Sequence, residues 1–329
     1  MSEKRTENAR EVSRVASPEE GRSRLSRRGF VAGAAAGVVA GGLEWASFGG
    51  RFDHRRAPGR GGAAEESAKE RFAASLRATE AGASGVVHVG HSTHLLALAG
   101  KRLLTDPWFY DPAFGALSHE VAPAVVPSEL ERLDAILVTH DHADHADLRA
   151  MDEMDKRAAV IVATGDLAAR VRALGFSDVS VLAPWEERAL GSVSVTAVPG
   201  LHDIYEIGFV VRADDKSVYF AGDTRLHPDL PAIAERFRPS AAILPVDGTR
   251  LTGAALHVMT PEDAQAAART LGSRLVIPSH AEAYFSDPIA GHLLASTVPR
   301  ARRRFAELME KELPGVACRV PEPGELVTL

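Results

Sequence analysis

The stretch Ala135-Ile136-Leu137-Val138-Thr139-His140-Asp141-His142-Ala143-Asp144-His145 sets four candidate ligands within six residues, directly after an apolar run. The continuous apolar character of that run reads as a strand buried on both faces, the kind found in parallel sheets. In such folds the loop leaving a strand is where functional side chains are exposed. A loop turning into a helix aims alternate side chains at different points. His140 and His142 can reach one ion while Asp144 and His145 reach a second a few ångströms away. Imidazole together with carboxylate suits zinc, iron or manganese.

Upstream, residues 86–89, 95–99 and 103–105 are short β-rich runs, and Gly100-Lys101 reads as a hairpin turn between the last two. Pro107 cannot continue a ladder, so Leu104-Thr105-Asp106 ends a strand. The Pro-rich residues 107–127 then form a long loop, and loops of that length usually serve a site. Downstream, strands are expected at 160–163, 193–198, 209–212, 218–221, 241–246 and 275–278. Helices are expected at 147–157, 166–174, 230–237, 261–271 and 296–313. Thr260 is a good N-cap, with Pro261 at the first helical position and Asp263 at the third. Strands and helices alternate in both halves, which makes an α/β protein. No internal repeat recurs at a fixed period.

Three more polar residues stand at the ends of apolar strands. His202 follows Val198-Pro199-Gly200-Leu201, Asp223 follows Tyr219-Phe220-Ala221-Gly222, and His280 follows Val276-Ile277-Pro278-Ser279. Singly, each has an ordinary account as a turn residue or a helix cap. Together, a ligand cluster followed by His, Asp and His, all at strand ends, is hard to produce by chance.

In these residues the chain resembles the metallo-β-lactamase-fold hydrolases, whose pattern is His-x-His-x-Asp-His followed by His, Asp and His. The resemblance covers about residues 84–285. It implies a four-layer αβ/βα sandwich with the site at one edge of two sheets. It implies that His140, His142 and His202 bind one metal ion, that Asp144, His145 and His280 bind a second, and that Asp223 bridges them. His88-Val89-Gly90-His91-Ser92-Thr93-His94, Leu104-Thr105-Asp106-Pro107-Trp108-Phe109 and His257-Val258-Met259-Thr260-Pro261-Glu262-Asp263 resemble the branch holding N-acylphosphatidylethanolamine-hydrolysing phospholipase D and the ascorbate-6-phosphate lactonases. True β-lactamases generally lack the bridging Asp, so Asp223 argues against antibiotic hydrolysis. The chain departs from phospholipase-type members at Ala281-Glu282, where they usually carry Trp-Gly.

The implied chemistry uses two divalent ions ~3.5–4 Å apart, zinc foremost with manganese and iron as alternatives, sharing a hydroxide that attacks a phosphorus or carbonyl centre. Asp106 is a candidate acceptor orienting a ligand imidazole, with a turn-forming Asp-Pro as its plain alternative. His257 is a candidate proton donor to the leaving group, or a polar residue before a helix. His91 and His94 are weaker candidates, read mainly as buried and hydrogen-bonded. The expected activity is hydrolysis of a phosphodiester such as a phospholipid. A lactonase or thioesterase with the same site, and a non-catalytic metal- or substrate-binding protein, stay open. Neither Gly-x-Ser-x-Gly nor a phosphate-binding P-loop is present, which disfavours a serine hydrolase and a nucleotide-binding enzyme.

The 329 residues carry a net charge of −6, but its distribution is uneven. Residues 1–60 hold 12 Lys and Arg against 7 Asp and Glu, and the remainder holds 26 against 37. An acidic body repels phosphate backbones, so no nucleic-acid partner is expected. The basic excess precedes and includes Ser26-Arg27-Arg28-Gly29-Phe30-Val31, followed by an Ala/Gly/Val run to Leu43. That pattern resembles a twin-arginine export signal. The expected organisation is a signal over 1–49, a linker with a short helix over 50–83, and the hydrolase domain over 84–329. The expected location is periplasmic or extracellular, with the export machinery as a partner and membrane contact only through an uncleaved N-terminal segment. A single cysteine, Cys318, excludes an intramolecular disulfide framework.

Overall fold

The computed structural model describes Arg55–Arg56 and residues 63–251, 257–285 and 295–329. The expected N-terminal signal and most of the expected linker before Ala63 lie outside the described residues. The main elements are α1 (Ala63–Glu80), β1 (Gly85–Gly90), β2 (Thr93–Leu98), β3 (Lys101–Thr105), β4 (Ala135–Val138), α2 (Leu148–Glu153), β5 (Ala159–Val162), α3 (Gly165–Ala173) and β6 (Val179–Val181). The second half holds β7 (Glu187–Leu190), β8 (Val193–Pro199), β9 (Ile207–Ala213), β10 (Lys216–Phe220), α4 (Leu230–Phe237), β11 (Ala241–Pro245), α5 (Pro261–Leu271), β12 (Leu275–Ser279), α6 (Ala301–Glu312), β13 (Ala317–Cys318) and β14 (Leu326–Thr328).

Two seven-stranded sheets result, ordered β14-β1-β2-β3-β4-β5-β6 and β7-β8-β9-β10-β11-β12-β13. In each, three antiparallel pairings are followed by three parallel ones. The two halves therefore share a pairing scheme although no sequence period announces it.

Alternation along the strands explains their unbroken apolar runs. Val86, Leu96, Leu103, Leu137 and Ile161 of the first sheet meet Val195, Phe209, Val218, Ile243 and Ile277 of the second in a core between the sheets. Their neighbours Val87, Leu95, Leu104, Ile136 and Val160 face outward, onto α1, α2 and α3. Val210, Tyr219, Leu244 and Val276 likewise face α4, α5 and α6. A strand covered on both faces has no solvent side, so the period-two pattern is filled with apolar residues throughout. The result is the expected four-layer αβ/βα sandwich. Each Val, Leu, Ile or Phe so buried contributes ~1.5–3 kcal/mol.

The helix expected within the linker is α1, and it is part of the outer layer: Ala68 and Phe72 sit in the core, and Ser75 Oγ donates to the Gly324 carbonyl at 2.7 Å. The 107–127 loop is pinned by Asp147, the N-cap of α2. One Asp147 oxygen accepts from the backbone N–H groups of Phe109 and Tyr110, at 3.2 and 2.9 Å. Thr260 and Asp263 form a capping box on α5, with Pro261 at its start.

Candidate metal centre

The parallel register brings the site together. Leu103 pairs with Ala135 and Thr105 with Leu137, so Asp106, just past β3, arrives beside Thr139, just past β4. The Asp106 backbone N–H donates to the Leu137 carbonyl at 2.8 Å. One Asp106 oxygen accepts from the Thr139 backbone N–H at 2.8 Å. The other accepts from the Thr139 hydroxyl and from His145 Nδ1, each at 2.7 Å. Asp106 (φ +33°), His280 (φ +52°) and His91 (φ +51°) all occupy the left-handed region. Non-glycine residues are uncommon there and cluster at functional sites.

Two groups of donors converge at this edge of the sandwich. Donor atoms of His140, His142, His202 and Asp223 lie within 4.8 Å of one another, as do those of His91, Asp144, His145 and His280. His142 Nδ1 sits 3.0 Å from His140 Nε2 and 3.2 Å from His202 Nε2. Asp223 Oδ2 lies 3.1 Å from His145 Nε2, 3.0 Å from His280 Nε2 and 3.9 Å from His140 Nε2, so it faces both groups. His145 Nε2, His280 Nε2, Asp144 Oδ1 and Asp223 Oδ1 are all buried without a hydrogen-bond partner. Four orphaned donor atoms in one place are costly unless something binds them. Nitrogen and oxygen donors alone, two acidic residues and five imidazoles, fit two divalent ions. All seven residues expected as ligands are brought together.

The charge balance agrees. Burial alone lowers the pKa of His145, yet Asp223, Asp144 and Asp106 hold it well above the usual value. For His280, Asp223 and Asp247 outweigh burial in the same way. Asp223 stays well below the carboxylate range despite burial, because His145 and His280 face it. Burial and His202 push His142 down to about 4, leaving a neutral imidazole suited to a cation.

Carboxylates that the sequence did not single out support the ligands from behind. Asp247 Oδ2 lies 3.2 Å from His280 Nδ1. Glu206 Oε1 lies 3.3 Å from His140 Nδ1 and accepts the Asp223 backbone N–H at 2.6 Å. Burial pushes the Glu206 carboxyl up to about 8. Gly222 (φ +69°) makes this approach feasible, since a Cβ there would lie 2.5 Å from Glu206 Oε1 and 3.0 Å from Thr139 Cγ2.

His257 stands at the rim. Its carbonyl faces His202 Nδ1 at 3.1 Å, and its own Nδ1 lies 3.2 Å from Asp203 Oδ2. The other Asp203 oxygen lies 2.8 Å from His202 Nε2. Against burial, Asp203, Glu206 and Asp223 raise His202 to about 9. Phe114, from the 107–127 loop, sets its ring edge-on to His142 at 5.4 Å, so that loop does wall the site.

Two residues lie elsewhere than their sequence position suggests. Asp141, within the ligand cluster, turns away to pair with Arg170 of α3. Glu282, at the point of departure from the phospholipase-type pattern, is 3% exposed and forms no open wall. Its Oε2 accepts from His88 Nε2 at 2.8 Å and from the His91 backbone N–H at 2.9 Å, and its Oε1 pairs with Arg302 of α6. His88 also contacts His94, which completes a buried chain of polar groups behind β1 and β2.

Over residues 101–281, more than half its length, the chain matches the beta-lactamase superfamily domain. The chain belongs to that superfamily. It is a metal-dependent hydrolase of the metallo-β-lactamase fold. It is 33% identical to a UPF0173 metal-dependent hydrolase from Rubrobacter xylanophilus over 264 residues, 74% of this chain and 96% of the relative. It is 28% identical to another from Caldivirga maquilingensis over 249 residues, 73% and 96% of the two chains. Among solved structures it is similar to Igni18, a metallo hydrolase from Ignicoccus hospitalis, with a TM-score of 0.58 at 22% identity, covering 75% of this chain and 98% of that one. This last likeness is one of fold.

Proposed function

We propose that this superfamily member is an exported dinuclear hydrolase of phosphodiesters, a phospholipid foremost. The observation that carries the reading is the position of Asp223, whose carboxylate faces two complete donor groups at once. His140, His142 and His202 would hold the first ion and Asp144, His145 and His280 the second, with Asp223 within reach of both. Two divalent ions bound there supply Lewis-acid polarisation and a water acidic enough to attack at neutral pH. The chain's own groups arrange that chemistry. Asp106 fixes His145 with its proton on Nδ1, and the Asp247 carboxylate faces His280 Nδ1 at 3.2 Å. Asp203 holds His257 through Nδ1, which leaves Nε2 to pass a proton to the departing oxygen.

An apolar rim supports a lipid substrate. Leu201, Ile204 and Tyr205, on the loop carrying His202, are exposed, as is Leu226, three residues after Asp223. The Arg225 backbone N–H donates to the Leu201 carbonyl at 2.9 Å and joins the two loops. Exposed apolar groups gathered around a site mark an apolar ligand or surface. Export rests on Ser26-Arg27-Arg28 and the apolar run after it.

The test is a panel of bis-p-nitrophenyl phosphate, phosphatidylethanolamine vesicles, a homoserine lactone and a thioester, given to the metal-loaded chain. Turnover of the two phosphodiesters supports the proposal. Preference for the lactone or thioester moves the reaction to a carbonyl centre, and inertness on all four favours a binding protein. Retention of an Arg27→Lys/Arg28→Lys variant in the cytoplasm tests export.

A further inference from the structure

His91 differs from four of the five ligand imidazoles at the centre in what stands behind its ring. It lies in the turn between β1 and β2, is 1% exposed, and packs against His280 at 4.3 Å and Trp108 at 5.1 Å between ring centroids. Its Nε2 is 4.0 Å from Asp144 Oδ2 and is buried without a hydrogen-bond partner. By distance alone it is an eighth ligand, for its nitrogen falls in the same 4.8 Å group as Asp144, His145 and His280.

The groups behind the rings separate it from four of the ligands, while His142 turns its Nδ1 towards His140 and His202. His145 Nδ1 faces the Asp106 carboxylate at 2.7 Å, and His280 Nδ1 faces the Asp247 carboxylate at 3.2 Å. His202 Nδ1 faces the His257 carbonyl at 3.1 Å. His140 Nδ1 faces the Thr139 hydroxyl at 2.9 Å, whose own proton is committed to Asp106. Asp106, the His257 carbonyl and the Thr139 hydroxyl accept from His145, His202 and His140, so these Nδ1 atoms carry a ring proton, and Asp247 places an acceptor on the same side of His280. Each Nε2 is then the atom that can give a lone pair to a cation.

Behind His91 the polarity is reversed. The backbone N–H of Glu282 donates to His91 Nδ1 at 3.4 Å. The segment is clamped in that register, because Glu282 Oε2 accepts the His91 backbone N–H at 2.9 Å and the His280 backbone N–H donates to the His91 carbonyl at 3.4 Å. A ring whose Nδ1 accepts carries its proton on Nε2 and has no lone pair there to give.

We propose that His91 is not a metal ligand but a neutral Nε2–H donor that positions the Asp144 carboxylate. Asp144 Oδ2 lies 4.0 Å from that nitrogen, and the other oxygen of the same carboxylate, Oδ1, is buried and unpartnered. An N–H···O bond of ~2.9 Å needs an adjustment of only ~1 Å from the observed separation. The inference rests on the dinuclear reading above.

The experiment uses the full chain loaded with zinc. Long-range 15N NMR on the wild-type protein reads the His91 tautomer directly, with Nε2 protonated and Nδ1 bare as the expected result. Zinc titration of two variants supplies the second readout. His91→Ala is expected to keep about two zinc ions per chain but to bind the weaker one ~10-fold less tightly. His91→Gln, which retains an N–H donor, is expected to restore most of that affinity. A zinc-bound Nε2 in the wild type, or loss of one zinc in both variants, overturns the inference. So does wild-type affinity in both. A wild-type chain that takes up fewer than two zinc ions contradicts the dinuclear reading itself, and the NMR result separates that failure from the other.

Discussion

The Asp106 carboxylate lies 2.7 Å from Nδ1 of His145, although the two residues sit 39 positions apart in the loops that follow different strands. That contact orients a ring whose other nitrogen is buried and unpartnered. Asp106→Asn replaces an acceptor by a group that can donate. It is expected to weaken metal binding ~10–100-fold and lower turnover correspondingly. Isothermal titration with zinc, alongside circular dichroism to show that the fold persists, checks this.

Arg302 and Glu282 form the anchor between α6 and the strand-end segment after His280. Arg302→Ala leaves a buried carboxylate without its cation, which costs about 3–5 kcal/mol. Urea unfolding measures the loss. The double variant Glu282→Gln/Arg302→Met is expected to recover part of it, because the uncompensated charge is removed as well.

Asp203 lies 3.2 Å from His257 Nδ1 at the rim. If His257 passes a proton to the leaving oxygen, His257→Ala slows hydrolysis of diesters with alkoxide leaving groups ~100-fold or more. p-Nitrophenolate leaves without that help, so the same variant is expected to act on bis-p-nitrophenyl phosphate at nearly the wild-type kcat. Asp203→Asn follows the same pattern with a smaller effect. Equal losses on both substrates contradict this role.

Stability is expected to fall with acid in a particular window. Burial, aided by the Arg302 guanidinium, lowers the His88 pKa from 6.5 to about 3 against the pull of Glu322 and Glu325. Glu282, which faces His88 Nε2 at 2.8 Å, is itself paired with Arg302, and His94 faces Nδ1. Between these two pKa values the unfolded chain binds a proton that the folded chain refuses. The His88 contribution is therefore intact above about pH 6.5 and is lost as the pH falls towards 3. Melting temperatures of metal-free wild type and His88→Gln at pH 7 and pH 5 check it, with the steeper fall expected for the wild type.

The ligands were legible in the sequence for a physical reason. A cation needs several donors at one point, strands running in the same direction end at one edge, and so His140 to His145, His202, Asp223 and His280 all appear directly after apolar runs. The groups that orient them carried no comparable mark. Glu206, Asp247 and Asp203 are single carboxylates in loops, and such residues form turns far more often than they hold imidazoles. Glu282 drew notice only as a departure from a pattern, because its partners Arg302, His88 and His91 reach it through tertiary packing. The α/β class was legible from apolar strands alternating with helices, and the four-layer arrangement was implied by the resemblance of the ligand motif. The exposed edge strand β7 and the two-residue β13 were not, because main-chain pairing holds them and few of their side chains enter a core. The helix α1 was visible as a helix, whereas its docking depends on a contact with Gly324 across 249 residues.

The central claim is that two donor groups meet on Asp223 and hold two ions. Metal analysis of the purified chain beside the Asp144→Ala/His145→Ala variant tests it most directly. The expected result is about two divalent ions per wild-type chain, one or fewer in the variant, and a ~100-fold or greater loss of phosphodiester turnover. Unchanged metal content together with unchanged turnover in the variant would contradict it.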